Sequence, residues 1–165
     1  MTQEHPHVWA AEAIRRVGAS GPQTPTPLRR LPLPALADIE VYLKDESAHP
    51  TGSMKYRLVR AMFREAIAGG AIGPGTPVIA ATSGAVATAG AHFASLLGLD
   101  FTAVVPARTP GEALAGIERA GGRAVAGGGA AAGRGAGGGE GVGRAARWPL
   151  PRPFHRRGAG DGRVG

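Results

Sequence analysis

Cysteine is absent from this 165-residue chain, which removes disulfides, thiolate metal ligands and cysteine nucleophiles together. Lysine is almost absent too: two lysines stand against seventeen arginines, so any chemistry that needs a primary side-chain amine falls on Lys44 or Lys55. No apolar run approaches the roughly 18 residues that a membrane-spanning helix requires. The segment Met1-Thr2-Gln3-Glu4-His5-Pro6-His7 lacks the basic stretch followed by an apolar one that marks a secretory leader. The expectation is a cytoplasmic protein with no membrane partner. His5, His7, His49, His92 and His155 show no ligand spacing, so no metal is expected.

The charge is unevenly spread. Residues 126–165 hold 14 of the 28 glycines and seven arginines against Glu140 and Asp161, a net +5 of the chain's +7. The basic character therefore says little about the partners of residues 1–125, and a nucleic-acid partner is not expected for them. From Ala126-Gly127-Gly128-Gly129 onward the chain has no Ser, Thr, Lys, Gln, Ile, Tyr or Met. Two accounts fit this composition: a GC-rich coding sequence read out of its frame from about residue 126, or a genuine Arg-Gly low-complexity tail. Either is too rich in glycine and charge to repay its ordering entropy, so a disordered tail is expected. The chain thus divides into a helix and Pro-rich lead-in over 1–34, an α/β unit over 35–125 and the tail over 126–165.

Within 1–125 the periodicity alternates. Trp9, Ala10, Ala13, Ile14 and Val17 predict a helix over 8–17, and the prolines between Pro22 and Pro34 predict an extended connector through Thr26-Pro27-Leu28-Arg29-Arg30-Leu31. A strand is expected over Glu40–Lys44, followed by the polar turn Asp45-Glu46-Ser47. A helix from Met54 to about Ala68 should bury Leu58, Val59, Met62, Phe63, Ala66 and Ile67, with Ser53 at its start and Gly69-Gly70 at its end. Strands over Pro77–Ala81, Asp100–Val105 and from Arg123 alternate with an Ala-rich helix ending near Leu97 and a helix over Gly111–Ala120. Such alternation predicts a parallel sheet with helices on its faces and a ligand site at the carboxyl ends of the strands.

Two turns occupy such strand ends. Pro50-Thr51-Gly52-Ser53-Met54 puts Lys55 in the first turn of a helix, where unsatisfied N–H groups carry partial positive charge that disfavours an ammonium. An amine eased toward its neutral form attacks carbonyl carbon, which points to a Schiff base; a solvated lysine at a helix start accounts for the same residue equally well. Thr82-Ser83-Gly84 opens the Ala-rich helix, and its hydroxyls and free N–H groups suit an anion; a plain helix cap by Ser83 accounts for the same residues.

Leu43-Lys44-Asp45-Glu46, the run His49 to Arg57 and Ala81-Thr82-Ser83-Gly84 together resemble the cysteine synthase family of fold type II pyridoxal-phosphate enzymes, most of all its cysteine synthase-like cysteine desulfhydrase branch. Thr26-Pro27-Leu28, Gly98-Leu99-Asp100 to Pro106 and Ile117 to Arg123 fall in register with it. The resemblance covers roughly residues 8–125 and then stops. It implies the small-domain part of that fold, a three-layer parallel sheet with helices on both faces. It further implies pyridoxal phosphate held on Lys55, the same lysine as general base, and Thr82, Ser83 and Gly84 around the carboxylate of a small amino-acid substrate. The implied reaction is β-elimination or β-replacement on cysteine or an activated serine, in a family whose members are often homodimers. His49 would lie beside the cofactor loop but receives no role, since a histidine in a turn is expected to be exposed. Three features depart from the family pattern. Ala85 and Val86 stand where an Asn-Thr pair is common, and the asparagine there bonds the cofactor's 3′ hydroxyl. Neither the glycine-rich loop for the cofactor's phosphate nor the partner of its pyridine nitrogen has a counterpart in residues 126–165. Two other readings stay open: a non-catalytic remnant or pseudogene product, and an Arg-Gly nucleic-acid binder using Trp148 and Phe154.

Overall fold

The computed structural model describes residues 6–22, 24–36, 39–127 and 146–147. Its packing centre is helix α2 (Lys55–Ala68), which buries Tyr56, Val59, Phe63, Ala66 and Ile67 along one stripe. This stripe is rotated from the expected one. Leu58 is 45% exposed, and Tyr56 takes the buried place at 0%. The reason is the neighbour: α2 packs on helix α3 (Gly84–Leu96), whose Phe93 ring meets both Tyr56 at 4.8 Å and Phe63 at 5.6 Å. Helix α1 (Pro6–Ala19) lies against α2 and places Ala13 and Val17 in the same core. Gly69 and Gly70 end α2 as expected, with Gly70 at φ +72° and its N–H donating to the Ile67 carbonyl at 3.0 Å.

Four strands form the parallel sheet. They are β3 (Val78–Ala81), β4 (Phe101–Pro106), β5 (Arg123–Gly127) and β6 (Ala146–Arg147), in the order β5-β4-β3-β6. Each neighbouring pair is parallel, as the alternation of strands and helices predicts. Helix α3 links β3 to β4, and helix α4 (Gly111–Arg119) links β4 to β5, so the sheet is flanked by helices. Along β4, Phe101, Ala103 and Val105 are buried while Thr102 and Val104 are half-buried, the period of two that a strand imposes. Strand β5 runs through Gly127, and Ala146–Arg147 pairs with Val78–Ile79, so the sheet draws on positions assigned in sequence to a disordered tail. The rest of that tail, 128–145 and 148–165, lies outside the described residues.

The sheet and helices approach closely because glycine sits at the contact. A Cβ on Gly90 would stand 2.6 Å from two ring atoms of the buried Phe101, and one on Gly122 would stand 2.7 Å from the Ala91 Cβ.

The Pro-rich lead-in forms half of a separate two-stranded antiparallel sheet. Strand β1 (Leu28–Leu31) pairs with β2 (Val41–Lys44), Leu28 opposite Lys44 and Leu31 opposite Val41. Leu28, Tyr42 and Leu43 on this ribbon are exposed. It is fastened to α2 by one carboxylate. Glu46, in a short 3-10 turn after β2, accepts from the Thr26 hydroxyl at 2.6 Å, from Arg57 Nε at 2.9 Å, and lies 3.0 Å from His49 Nε2. Arg57 also donates to Thr26 at 3.1 Å. The Arg57 guanidinium, followed by the Thr26 and His49 hydrogen bonds, lowers the Glu46 carboxyl to about 2.

Two outcomes are expected. Gly90→Ala gains helix propensity of about 1 kcal/mol but drives a methyl into Phe101, for a net loss of about 1–2 kcal/mol in urea denaturation. Gly116→Ala, whose new Cβ meets nothing nearer than Thr88 Oγ1 at 3.5 Å, is expected to be neutral or stabilising. Equal effects of the two would refute the account of the contact. The second concerns acid. The folded Glu46 carboxyl titrates near 2 against an ordinary value of 4.5, so its stabilisation is whole above 4.5 and is lost as pH falls toward 2. Glu46→Gln should flatten the pH dependence of the denaturation midpoint within that window, and an unchanged slope would argue against the hub.

Candidate active site

Lys55 is the first residue of α2, one position after the expected start. Met54 occupies the cap position without a side-chain hydrogen bond, and Ser53 serves instead, its Oγ accepting from the Lys55 N–H at 3.2 Å. The turn before it needs glycine: Gly52 has φ +65°, a conformation that costs any residue with a Cβ, and its N–H donates to the His49 carbonyl at 2.7 Å. The Lys55 side chain is exposed, and its amine has no hydrogen-bond or ion-pair partner among the described residues. Lys44 differs. Its Nζ donates to the Thr26 carbonyl at 2.6 Å, which ties it to the ribbon.

At the end of β3, Thr82 is half-buried and its N–H donates to the Ala80 carbonyl at 3.1 Å. Ser83 is exposed in extended conformation and makes no side-chain capping bond to α3, so the plain-cap account of this serine is not what the geometry displays. Gly84 opens the helix at φ +61°, and its carbonyl accepts from the Thr88 hydroxyl at 3.2 Å. Both helix starts therefore present polar groups with unused hydrogen-bonding capacity. No hydrogen bond among the described residues joins Lys55 to Thr82, Ser83 or Gly84; the two turns are related through the packing of α2 on α3.

His49 overturns its expectation. It is 6% exposed, its ring stacked on Tyr56 at 4.9 Å with planes 16° apart, because Glu46 holds one ring nitrogen and the turn folds the imidazole onto the core. Its Nδ1 is buried without a partner among the described residues, as is Thr51 Oγ1 in the same turn. Sequence reasoning also missed Thr26, Glu46 and Arg57 as one network. The available signal was an acid and a base held in two motifs that the chain spaces eleven residues apart.

A wide cleft of about 940 Å³ is lined by Lys44, Glu46, Met54, Arg57, Leu58 and Arg60 among others. Neither Lys55 nor the Thr82 turn lines it.

The family model described as pyridoxal-phosphate dependent enzyme matches residues 19–147, reaching past residue 125 where the resemblance read in sequence stops. The chain is 47% identical over 120 residues to L-cysteine desulfhydrase Cds1 of Mycobacterium tuberculosis, covering 70% of this chain and 33% of that protein. It is 38% identical over 91 residues to cysteine synthase of Aquifex aeolicus, covering 53% of this chain and 28% of that one. A crystal structure of O-ureido-L-serine synthase superposes with TM-score 0.61 and 34% identity over 67% of this chain and 34% of its own. The chain thus spans about a third of the length of the relatives it matches. Since that family model spans most of the chain, the chain belongs to the pyridoxal-phosphate-dependent enzyme family.

Proposed function

We propose that this chain carries the lysine side of a pyridoxal-phosphate site and that the site acts in β-elimination or β-replacement on cysteine or an activated serine. The observation that carries the reading is the contrast between two amines: Lys44 is engaged by Thr26, whereas Lys55 heads α2 with its amine unengaged among the described residues.

The residues fit such a group at its aldehyde end. Lys55 supplies the amine, and the orphaned buried Nδ1 of His49 and Oγ1 of Thr51 in the adjoining turn are polar atoms that a ligand could satisfy. Bound there, the cofactor would supply an electron sink for the substrate's α-carbon. Lys55 Nζ would hold the cofactor's carbonyl carbon and, once released, take up the proton of that α-carbon as general base. The Ser83 hydroxyl, with the N–H groups at the start of α3, would hold the substrate carboxylate, and Thr82 and Gly84 would shape that turn. Ala85 has no side-chain donor for the cofactor's ring hydroxyl. That substitution favours a second reading, a non-catalytic remnant that keeps the lysine. A cytoplasmic location is part of the same proposal; among the described residues no helix is long and apolar enough to cross a membrane.

With pyridoxal phosphate added, borohydride should fix the label on Lys55, and Lys55→Ala should abolish it. Label confined to Lys44 would overturn the assignment. Sulfide release from cysteine by the 165-residue chain is expected to stay below about 1 per second, since the cofactor phosphate meets no glycine-rich cradle among the described residues. Label on Lys55 with no sulfide release would favour the remnant. Turnover that survives Lys55→Ala would remove the lysine from the chemistry.

A further inference from the structure

Lys55 has a neighbour whose burial does more than fill the core. The start of α2 is held locally by few bonds: Met54 at the cap makes no side-chain bond, Ser53 Oγ accepts from the Lys55 N–H at 3.2 Å, and the first turn is closed by Tyr56 N–H to the Ser53 carbonyl at 3.1 Å and Arg57 N–H to the Met54 carbonyl at 3.3 Å. Frayed first turns move. Here side chains hold the turn from both directions. Arg57 reaches outward to Glu46 and Thr26, and Tyr56 reaches inward.

The Tyr56 anchorage is unusually complete. Its ring is fully buried, stacked on His49 at 4.9 Å and packed on Phe93 at 4.8 Å. Its hydroxyl donates to Ser20 Oγ at 2.6 Å, and that oxygen lies 3.2 Å from His92 Nε2. Gly21, at φ +93°, leaves the room: a Cβ there would stand 2.9 Å from Tyr56 Cε1. The ring and its hydroxyl thus bind the start of α2 to the end of α1 and to α3 at once.

We propose that Tyr56 is a positioning residue for Lys55, its hydroxyl tether to Ser20 fixing the first turn of α2 so that the adjacent amine is presented in one place. The inference rests on Lys55 as the cofactor lysine. It matters because reactivity falls steeply when a reacting group is displaced by about 1 Å. Tyr56 itself touches neither substrate nor cofactor in this account.

The test uses the full chain with pyridoxal phosphate and borohydride, reading the labelling rate of Lys55 and of Lys44 by peptide mass, and amide exchange at Lys55 and Arg57. Tyr56→Phe removes the hydroxyl and keeps the ring; Ser20→Ala removes the other end of the same bond. Each should slow labelling of Lys55 and speed amide exchange at Lys55 and Arg57 by about fivefold, the worth of one ordinary hydrogen bond. The double variant should do no more than either single, since both remove one interaction. Lys44 labelling and exchange along β4 should not change. Parental labelling of Lys55 in both single variants would overturn the proposal, as would slowing of both lysines alike, which would mean general loosening. A parent unlabelled at Lys55 would instead overturn the cofactor reading, and amide exchange would then judge the tether by itself: unchanged exchange at Lys55 in both variants would refute it.

Discussion

The constraint on which most of this structure hangs is the need to satisfy one carboxylate. Glu46 is largely withdrawn from water, at 19% side-chain exposure, and an ion so placed must be paired and hydrogen-bonded or it destabilises the fold. Its oxygens find Thr26 on the lead-in, His49 in the turn and Arg57 on α2. The lead-in, the turn and the start of α2 are therefore brought to one point by charge-assisted bonds, which are stronger and more directional than neutral ones. Part of what gives Lys55 its location follows: the turn Pro50–Ser53 is clamped at His49 on one side and at Arg57 on the other.

The second constraint is steric. An Ala-rich helix offers little side-chain volume, and α3 turns this to use by lying close over the sheet, with Gly90 and Gly122 admitting the ring of Phe101. Close approach fixes the height of α3 over β4 and, through the short turn at Thr82, the place where the helix begins. The aromatic layer of Tyr56, Phe63 and Phe93 then sets α2 against α3. Small residues on one face of α3 and large ones on the other thus join the two helix starts without any direct bond between them.

Much of this was legible in the chain. The strands at Val78–Ala81 and Phe101–Pro106 and the helices α2 and α3 follow from periodicity because their partners are local and their faces are buried in the ordinary way. The position of Lys55 was legible because a Gly-Ser turn and a helix start are local facts. What was not legible depended on tertiary partners. Periodicity puts Leu58 and not Tyr56 in the buried stripe of α2, since a tyrosine goes inside where a hydroxyl partner such as Ser20 awaits it, and periodicity does not report that partner. His49 was expected to be exposed because it sits in a turn, yet Glu46 and Tyr56 supply the hydrogen bond and the stacking surface that repay its burial. Strand β6 was hidden by composition: Ala146–Arg147 has no strand signature of its own and earns its place only by continuing the sheet beside β3.

That last pairing bears on how the sheet is assembled. Strands β3, β4 and β5 follow one another along the chain, each joined by a single helix, so their contacts close over short separations. Only two residues of β6 pair with β3, and they come from far along the sequence, Val78 meeting Ala146. Loop closure becomes costlier with separation, and few bonds reward it here. Among the described strands β6 has the shortest pairing, so a local opening of the sheet is expected to release it first and to uncover β3, the strand that leads into the Thr82 turn. The durability of that end of the sheet therefore depends on its most distant and shortest contact.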